Sequence, residues 1–352
     1  MRSGRRAAVV GAGLAGLWTA LRLARRGYEV TVYEMEFPGY GASSRAAGII
    51  SLQLPRALLR YAVEGMKEYS GMGMREVPSL WVPRKDMYRC AESVAAELRR
   101  LGVVAEPLAL KEVDGVLSAS DERGVFMFQG LISSGDVVNA LYKSLEGSRV
   151  SLRTGAVRRK GERLYYDGSP IEADLTFIAA GPWTQRLVDL RLRTYKCSAH
   201  SVEVNGLPNL IIEDDENEFY LVPESRGRAI VGGPDSPLEA PEDGFRVDPA
   251  EPYEVLEMVS RRVPAAELAR PVSSWAAPCA SGPDGLPVVG EVDDGLYVIT
   301  GLDGAGLTLS PALSRLVVDV AEGVADEDPN LSPRRKTGDG PNEPFESICD
   351  GV

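Results

Sequence analysis

The sequence has few of the side chains that most often carry acid–base and metal chemistry. It contains one histidine, His200, and four cysteines, Cys90, Cys197, Cys279 and Cys349, which form no CxxC pair. A site with several histidine ligands is therefore excluded, and neither the common zinc spacings nor a disulfide framework is expected. No GxSxG motif supports a serine–histidine triad. These absences indicate that the chemistry of this chain depends on a cofactor, with no metal.

Long apolar runs and excess positive charge are also absent. The longest uncharged run near the start, residues 7–21, is shorter than the about 20 apolar residues that a membrane span requires. Three glycines interrupt this run and no small-residue cleavage site follows it, so we expect a cytoplasmic protein. The 39 basic and 51 acidic side chains give a net charge of −12. This balance argues against a nucleic-acid or anionic-membrane partner, because phosphate binding needs clustered Lys and Arg.

Both ends of the chain carry strand–turn–helix patterns. Residues 7–35 are predicted to form a short apolar strand, a turn, a helix with one apolar face and a second β-rich run. Residues 295–300 predict a strand and residues 307–322 an amphipathic helix, while LTFIAA at 175–180 predicts a further buried strand. Parallel strands need crossover connections of this kind. The pattern is typical of an α/β fold with a parallel sheet.

The middle and the tail of the chain have a different composition. Residues 92–101 predict a helix, and residues 195–233 carry several short strands with turn residues between them. This pattern predicts a mixed or antiparallel sheet in a second domain, inserted between the pieces of the parallel sheet. Residues 323–352 are rich in Pro, Gly and acidic residues, and we expect this tail to be loose.

The turn after the first strand, GAGLAG, has the GxGxxG pattern of dinucleotide-binding loops. Gly11 allows the tight turn, Gly13 lets the backbone approach a pyrophosphate, and Gly16 lets the helix pack closely on the strand. The start of the helix presents free N–H groups to the phosphates. Glu34 ends the second strand, where its carboxylate would accept the ribose hydroxyls and disfavour NADP. The other residues predicted to border the dinucleotide here are Ala12, Leu14, Ala15 and Met35.

NAD and FAD share this fingerprint, and the rest of the chain resembles a family that uses FAD. VVGAGLAGLWTALRLARRGYEVTVYE at 9–34 resembles the opening of flavoproteins related to D-amino-acid oxidase, glycine oxidase and sarcosine oxidase. Four further segments resemble that family in the expected order, namely GASSRAAGII at 41–50, FYLVPESRGRAIVGG at 219–233, PDGLPVVGE at 283–291 and GLYVITGLDGAGLTLSPAL at 295–313. The resemblance covers most of residues 7–322 and implies a Rossmann-like FAD-binding domain with a substrate domain.

The resemblance implies that four further segments hold FAD. In GASSR the hydroxyls of Ser43 and Ser44 and the cation of Arg45 would bind phosphate oxygens, although a surface ion pair is the alternative for Arg45. In the terminal turn, backbone N–H groups would stabilise negative charge on the reduced flavin, and Thr308 would add a hydroxyl. Val157 would lie against the adenine, with an ordinary strand position as the alternative. The other residues assigned to FAD are Ala47, Gly48, Ile49, Ala180, Gly181, Trp183, Gly301, Asp303, Gly304, Ala305, Gly306 and Leu307.

The resemblance also implies hydride transfer from an amine to the flavin, which needs no strong protein base. Tyr220 resembles a family tyrosine whose hydroxyl reaches the substrate, with a half-buried strand tyrosine as the alternative. The family arginine that binds the substrate carboxylate is missing from residues 275–283, which read WAAPCASGP. Either another cation such as Lys196 or Arg228 replaces it, or the substrate is not a simple α-amino acid. Asp303 would favour a cationic substrate, unless it only caps its turn.

We therefore predict an FAD-dependent oxidoreductase that dehydrogenates a small amine, an amino acid or N-alkyl amino acid, to an imine. Oxygen or another acceptor would reoxidise it. The alternatives are a 2-hydroxyacid or polyol dehydrogenase that uses FAD, a flavoprotein subunit that needs a partner chain, and an NAD-dependent dehydrogenase. A homo-oligomer is compatible with the sequence. The predicted boundaries assign residues 1–55, 125–190 and 280–325 to the FAD-binding domain, 56–124 and 191–279 to the substrate domain, and 326–352 to the acidic tail.

Overall fold

The computed structural model describes residues 4–112, 117–118, 122–225 and 227–336. The strands in these residues are β1 (Arg6–Val10), β2 (Glu29–Glu34), β3 (Ile49–Ile50), β4 (Arg75–Val82), β5 (Ala105–Ala109), β6 (Arg123–Leu131), β7 (Val150–Thr154), β8 (Val157–Lys160), β9 (Arg163–Tyr166), β10 (Ser169–Pro170), β11 (Leu175–Ile178), β12 (Arg193–Glu203), β13 (Ile211–Asp214), β14 (Phe219–Ser225), β15 (Arg228–Gly232), β16 (Ser236–Pro237), β17 (Arg270–Ser281), β18 (Val288–Asp293) and β19 (Leu296–Thr300). The helices are α1 (Leu14–Arg25), α2 (Arg56–Glu68), α3 (Tyr88–Arg100), α4 (Ser134–Leu145), α5 (Glu251–Arg262) and α6 (Gly306–Ala321).

A six-stranded sheet of the described residues has the order β18-β19-β11-β1-β2-β7. β1 pairs in parallel with β2 and β11, and the next strands outward, β7 and β19, are also parallel. β18 alone runs antiparallel, at the edge. Because parallel strands share one carboxyl edge, the turns that follow β1, β11 and β19 lie beside one another. Helices α1 and α6 pack their apolar faces on this sheet, with Leu17 and Leu313 fully buried.

The second large sheet is mixed. Its strand path is β16-β12-β15-β14-β13-β4-β6-β3, with β17 paired to β12 and β5 to β6. Most pairs are antiparallel, and β13 pairs in parallel with β4. Helix α5 covers one face, where Val255 and Val259 pack with Leu221 and Val231. β3 follows the GASSR loop directly and pairs with β6, so this loop enters the second sheet at its edge. A separate small sheet has the order β10-β9-β8.

The predicted α/β fold with a second, mixed sheet is confirmed. The strand–turn–helix units at both ends have bounds close to those predicted, whereas α3 begins at Tyr88, four residues before the predicted start. The domain boundaries stay a prediction. If each large sheet defines a domain, β6 belongs with the second sheet, although the boundary at residue 125 assigned most of this strand to the FAD-binding domain.

Two expectations from composition are wrong. Cys90 is disulfide-bonded, although the spacing of the cysteines in the sequence did not predict a disulfide. Residues 324–336, expected to be loose, pack on the body of the protein. Leu331 is fully buried, Asp328 accepts a hydrogen bond from Tyr61 at 2.8 Å, and Arg335 pairs with Asp284 at 2.6 Å. The composition of a segment cannot predict contacts with residues this far away in the sequence. Residues 337–352 of the predicted tail, with Cys349, lie outside the described residues.

None of the described helices is long and apolar enough to cross a lipid bilayer.

Candidate functional site

The glycines of the GAGLAG turn allow close backbone contacts that a side chain with a Cβ atom would block. Gly11 has φ of +105°, and a Cβ on it would lie 2.3 Å from the carbonyl oxygen of Ala179, in the turn after β11. A Cβ on Gly16 would lie 1.9 Å from the carbonyl oxygen of Gly11. The start of α1 is thereby held directly against the end of β1. This is the geometry in which a helix N-terminus receives a pyrophosphate.

The GASSR loop lies over the first turn of α1. Ser43 Oγ accepts a hydrogen bond from the backbone N–H of Leu14 at 3.0 Å, and a Cβ on Gly13 would come within 2.9 Å of the same oxygen. Ser44 ends the short 3₁₀ turn of this loop. Arg45 donates to the carbonyl oxygens of Tyr40 and Gly41, so its guanidinium supports its own loop in this structure. A phosphate contact of Arg45 stays a prediction.

Glu34 connects the end of β2 to the GAGLAG turn. One oxygen of its carboxylate accepts the backbone N–H of Ala12 at 2.7 Å, and the other accepts that of Glu36 at 3.1 Å. Burial raises the pKa of Glu34 above its usual value. Each carboxylate oxygen has a second lone pair, so the group can still accept ribose hydroxyls. Met35 follows it and is partly accessible.

The turn after β11 lies beside the terminal turn and the GASSR loop. Thr300 Oγ1 donates to the carbonyl oxygen of Gly181 at 3.0 Å, and Gly181 has φ of +51°. The indole of Trp183 lies 3.5 Å from the Cβ position of Gly41 and donates to Glu242 at 2.9 Å. Ala180 and Val157 both border the small apolar cluster that contains Val10 and Ile178. The structure thus gathers these predicted residues at the carboxyl edge of the parallel sheet.

The terminal turn approaches from the same edge. Gly301, Asp303 and Gly304 all have positive φ, and the backbone N–H of Asp303 donates to the carbonyl oxygen of Ala280 at 3.0 Å. Ala305 caps α6, which begins with Gly306 and Leu307. Thr308 Oγ1 is buried and has no hydrogen-bond partner among the described residues. A buried polar atom of this kind needs a partner, which a ligand can supply. The close glycine approaches and this hydroxyl fit a bound dinucleotide.

Tyr220 lies on the face of the mixed sheet opposite to α5. Its ring covers Gly232, where a Cβ would lie 2.3 Å from the ring, and its hydroxyl is 3.4 Å from the carbonyl oxygen of Ser198. Glu213 is its direct partner across β13 and β14, so both side chains point to this face. The GASSR loop and its continuation contact the same face. Ser51 Oγ donates to Glu213 at 2.8 Å, and Trp275 donates to the carbonyl oxygen of Arg45 at 2.8 Å.

The residues that follow Arg45 complete this contact. Ala47 and Ile49 pack against the apolar cluster that includes Ile211 and Val222 of the mixed sheet. Gly48 has φ of +90°, and a Cβ on it would lie 2.6 Å from the carbonyl oxygen of Ile132. The segment predicted to run under the flavin therefore lies between the two large sheets, against the face that carries Tyr220.

Three carboxyl groups lie along this face, with Glu213 on β13 at one end and Asp235 and Asp303 beside β12 at the other, three strands away; we call the part of the face formed by these residues and Tyr220 the acidic recess. Burial raises the pKa of Glu213 and of Asp235 to about 7, and that of Asp303 to about 6. Each of these side chains nevertheless keeps accessible surface. Side chains that are surrounded by protein atoms but keep solvent-accessible surface are expected in the wall of a recess. Burial also raises the pKa of Tyr220, so its hydroxyl stays a donor at neutral pH.

The two cations suggested for a substrate carboxylate are not in the acidic recess. Lys196 pairs with Glu251 of α5, on the opposite face of the sheet, and Arg228 lies 3.8 Å from Glu203 at an exposed position. Successive side chains of β12 point to opposite faces of the sheet. Lys196 therefore points away from the face that Tyr195 shares with Tyr220. That expectation is wrong. Sequence reasoning also missed Glu213 and Asp235, which no motif marks.

His200 and Asp303 have roles that the sequence left open. His200 lies on the face covered by α5, where its Nδ1 is 2.9 Å from Ser274 Oγ, and burial lowers its pKa. It is thus directed away from Tyr220. Asp303 accepts a hydrogen bond from the Tyr195 hydroxyl, which joins the terminal turn to β12.

Comparisons with known proteins agree with this architecture. The family described as FAD dependent oxidoreductase (DAO) matches residues 6–320. Glycine oxidase of Pseudomonas aeruginosa is 30% identical over an alignment of 370 positions, gaps included. The alignment covers 90% of this chain and 95% of that protein. D-proline dehydrogenase of Pyrobaculum islandicum is 25% identical, with 90% of this chain and 95% of that protein covered. The crystal structure of glycine oxidase from Geobacillus kaustophilus superposes with a TM-score of 0.77 at 25% identity, covering 95% of this chain and all of that one.

These matches decide between the two dinucleotides that share the fingerprint, and they exclude the NAD-dependent alternative. The family match spans residues 6–320, which include the GAGLAG turn, the terminal turn and strands of both large sheets. The chain therefore belongs to the DAO family of FAD-dependent oxidoreductases, and it is an enzyme whose cofactor is FAD.

Proposed function

We propose that this enzyme dehydrogenates a small amine, and that it recognises the substrate mainly through its nitrogen. The observation that carries the proposal is the cross-strand pair of Glu213 and Tyr220, held against the GASSR loop and its continuation by the bond from Ser51. When bound, FAD accepts a hydride from the carbon next to the nitrogen. The relatives, named as glycine oxidase and D-proline dehydrogenase, support small amino acids and cyclic amines as the class to test.

Glu213 would bind the ammonium form of the substrate and take its proton. With a pKa of about 7, this carboxyl is close to half ionised at neutral pH, and a group poised near the working pH transfers protons efficiently. The amine must lose its proton before a hydride can leave the neighbouring carbon. Ser51 and Gln129 hold the carboxylate by hydrogen bonds, so its position is set before substrate arrives. Tyr220 would line the face beside it through its ring, and its hydroxyl is directed toward Ser198 of β12.

The structure supports weak recognition of a carboxylate. Arg193 points to the same face as Tyr195 and interacts electrostatically with Asp303. It is, however, three strands away from Glu213 in the order β13-β14-β15-β12, which is about 14 Å at the usual strand spacing. One small amino acid cannot reach from Glu213 to that strand. A carboxylate beside Glu213 would lie next to the carboxyl group of that residue, which is an unfavourable place for negative charge.

Paired substrates test the proposal. The FAD-loaded enzyme is mixed anaerobically with glycine and methylamine, sarcosine and dimethylamine, or D-proline, L-proline and pyrrolidine, and loss of flavin absorbance is followed. We expect bleaching with at least one pair and a kcat/KM that differs less than about tenfold between its members, since tenfold corresponds to about 1.4 kcal/mol of transition-state binding. A preference above a hundredfold for the carboxylated member would show that a cation holds the carboxylate and would overturn this part of the proposal.

A 2-hydroxyacid dehydrogenase is the second candidate, because Glu213 is also suited to take a proton from a hydroxyl group. The same anaerobic assay with glycolate, lactate and glycerol separates the two. Bleaching by these compounds, without bleaching by any amine, would replace amine oxidation by alcohol oxidation.

A further inference from the structure

Two cysteines meet in the wall of the acidic recess. Cys197 on β12 and Cys279 on β17 are diagonal neighbours, because Cys197 is opposite Ala277 and Cys279 is opposite Tyr195 in the antiparallel register. Their sulfur atoms are 2.6 Å apart, only about 0.5 Å more than a disulfide bond. Both are free thiols in the structure. Little movement is therefore needed to join them.

The thiol pair is part of the recess and not of the general core. Cys197 contacts the carboxyl group of Asp235 and keeps accessible surface, whereas Cys279 is buried behind it. Both sulfur atoms act electrostatically on the hydroxyl of Tyr220. Cys279 also lies within residues 275–283, the stretch in which the sequence lacks the expected arginine. One thiol of the pair thus lies in the stretch where the family resemblance implies a substrate-binding arginine.

We propose that Cys197 and Cys279 form a reversible dithiol–disulfide pair that controls the amine site and is oxidised by a small hydroperoxide. One sulfur attacks the peroxide oxygen, the O–O bond breaks, and a sulfenic acid and water (or an alcohol) are formed. The second sulfur attacks the sulfenic sulfur, water leaves, and the S–S bond forms. The two thiols lose two protons and two electrons in total, which reduce the peroxide. A small dithiol reverses the step by thiol–disulfide exchange.

The surroundings predict how this pair reacts. The hydrogen bond to Cys279, burial and the nearby Asp235 all raise the pKa of Cys197. The thiolate is the nucleophile, so the pair should resist bulky alkylating reagents and react slowly with peroxide. Once formed, the bond would tie β12 to β17 and remove the thiol proton that Cys197 shares with its neighbours. Asp235 would lose its hydrogen bond to Cys197, and we expect the recess to bind its substrate less well.

Disulfide mapping tests the pair directly. The FAD-loaded protein is treated with hydrogen peroxide or with dithiothreitol, unfolded, alkylated, digested and analysed by mass spectrometry. We expect a peptide pair that links Cys197 to Cys279 after peroxide, two hydrogens lighter than the reduced peptides, and its loss after dithiothreitol. Cys90, already disulfide-bonded, reports whether the reductant reached buried bonds. If both thiols remain open to alkylation after peroxide, or if only sulfinic and sulfonic acids form, the pair does not exist.

Two matched variants separate the pair from nonspecific oxidation. Cys197→Ser and Cys279→Ser each keep the size of the side chain and leave one thiol, so neither can give the linked peptide. A linkage of the remaining cysteine to another chain or residue after peroxide would contradict the assignment. The wild-type mapping stands even if a variant fails to fold.

The control of turnover rests on the proposed function and is measured as a ratio within each protein. The kcat/KM of the oxidised form divided by that of the reduced form should fall at least about tenfold in the wild type and stay near one in Cys279→Ser. A wild-type ratio near one would refute the regulation of turnover by the disulfide, but not the formation of the disulfide. If the linked peptide forms but the reduced enzyme oxidises no amine, the proposed function is refuted. The disulfide between Cys197 and Cys279 is then still confirmed.

Discussion

Replacing Glu213 by glutamine tests the acidic recess in two independent ways. Burial raises the pKa of this carboxyl from 4.5 to about 7, so the folded protein binds the proton more tightly than the unfolded chain. The favourable contribution is complete below pH 4.5 and is lost as the pH rises through 7. At 1.36 kcal/mol per pKa unit, the wild type loses about 2 to 3 kcal/mol of unfolding free energy through this group between pH 5 and pH 8.

Glutamine cannot ionise, so the Glu213→Gln protein should lose about 2 to 3 kcal/mol less unfolding free energy than the wild type over the same pH range. Urea unfolding of the FAD-loaded proteins at pH 5 and pH 8 measures this difference. One hydrogen bond from Gln129 is lost in the variant, at a cost of about 1 kcal/mol, but that cost is the same at both pH values and cancels. The matched control is Glu216→Gln, which changes an exposed acid three residues away and should leave the pH dependence unchanged.

The same variant tests the role in turnover. In the wild type we expect kcat/KM for the amine to rise with pH through an apparent pKa near 7, and in Glu213→Gln this step should disappear while kcat/KM falls. Equal losses of stability in variant and wild type between pH 5 and pH 8 would show that Glu213 titrates normally in the folded protein. The reasoning from burial would then be refuted, together with the proton transfer built on it.

Three further substitutions test the cofactor site and the substrate side. Gly16→Val should abolish FAD binding, because a Cβ there would lie 1.9 Å from the backbone oxygen of Gly11; purified protein with normal flavin absorbance would contradict this. Thr308→Val should weaken FAD binding about threefold to tenfold, the worth of one hydrogen bond, without lowering the stability of the FAD-free protein; an unchanged Kd would mean that the buried hydroxyl does not meet FAD. Tyr220→Phe should lower kcat/KM for the amine by a similar factor with flavin content unchanged, whereas parental kinetics would place the substrate elsewhere.

The turns that we expect to hold FAD could be located from the sequence because their signals are local. The GxGxxG spacing, the strand before it and the acid at the end of the next strand are all read within about 30 residues, and each corresponds to a backbone requirement such as the positive φ of Gly11. The terminal turn is equally local, with glycines at the positive-φ positions 301 and 304. The resemblance to a flavoprotein family added the order of the segments, and it correctly distinguished FAD from NAD.

The substrate half could not be predicted, because it depends on strand register and on which face of the mixed sheet is covered. Alternation predicts that Lys196 and Cys197 point to opposite faces, but only the packing of α5 shows that the face of Lys196 is closed. Glu213 becomes the neighbour of Tyr220 through one hairpin register.

The sequence by itself determined the class of the fold, the resemblance to an FAD-dependent family and the position of the glycine turns, since these depend on composition and short-range spacing. Only the tertiary structure decided which side chains share the acidic recess and that Cys197 meets Cys279. It also showed that Leu331 docks a stretch whose composition is typical of a loose tail. The physical reason is that contacts between residues far apart in the chain depend on register and packing, which no local pattern encodes.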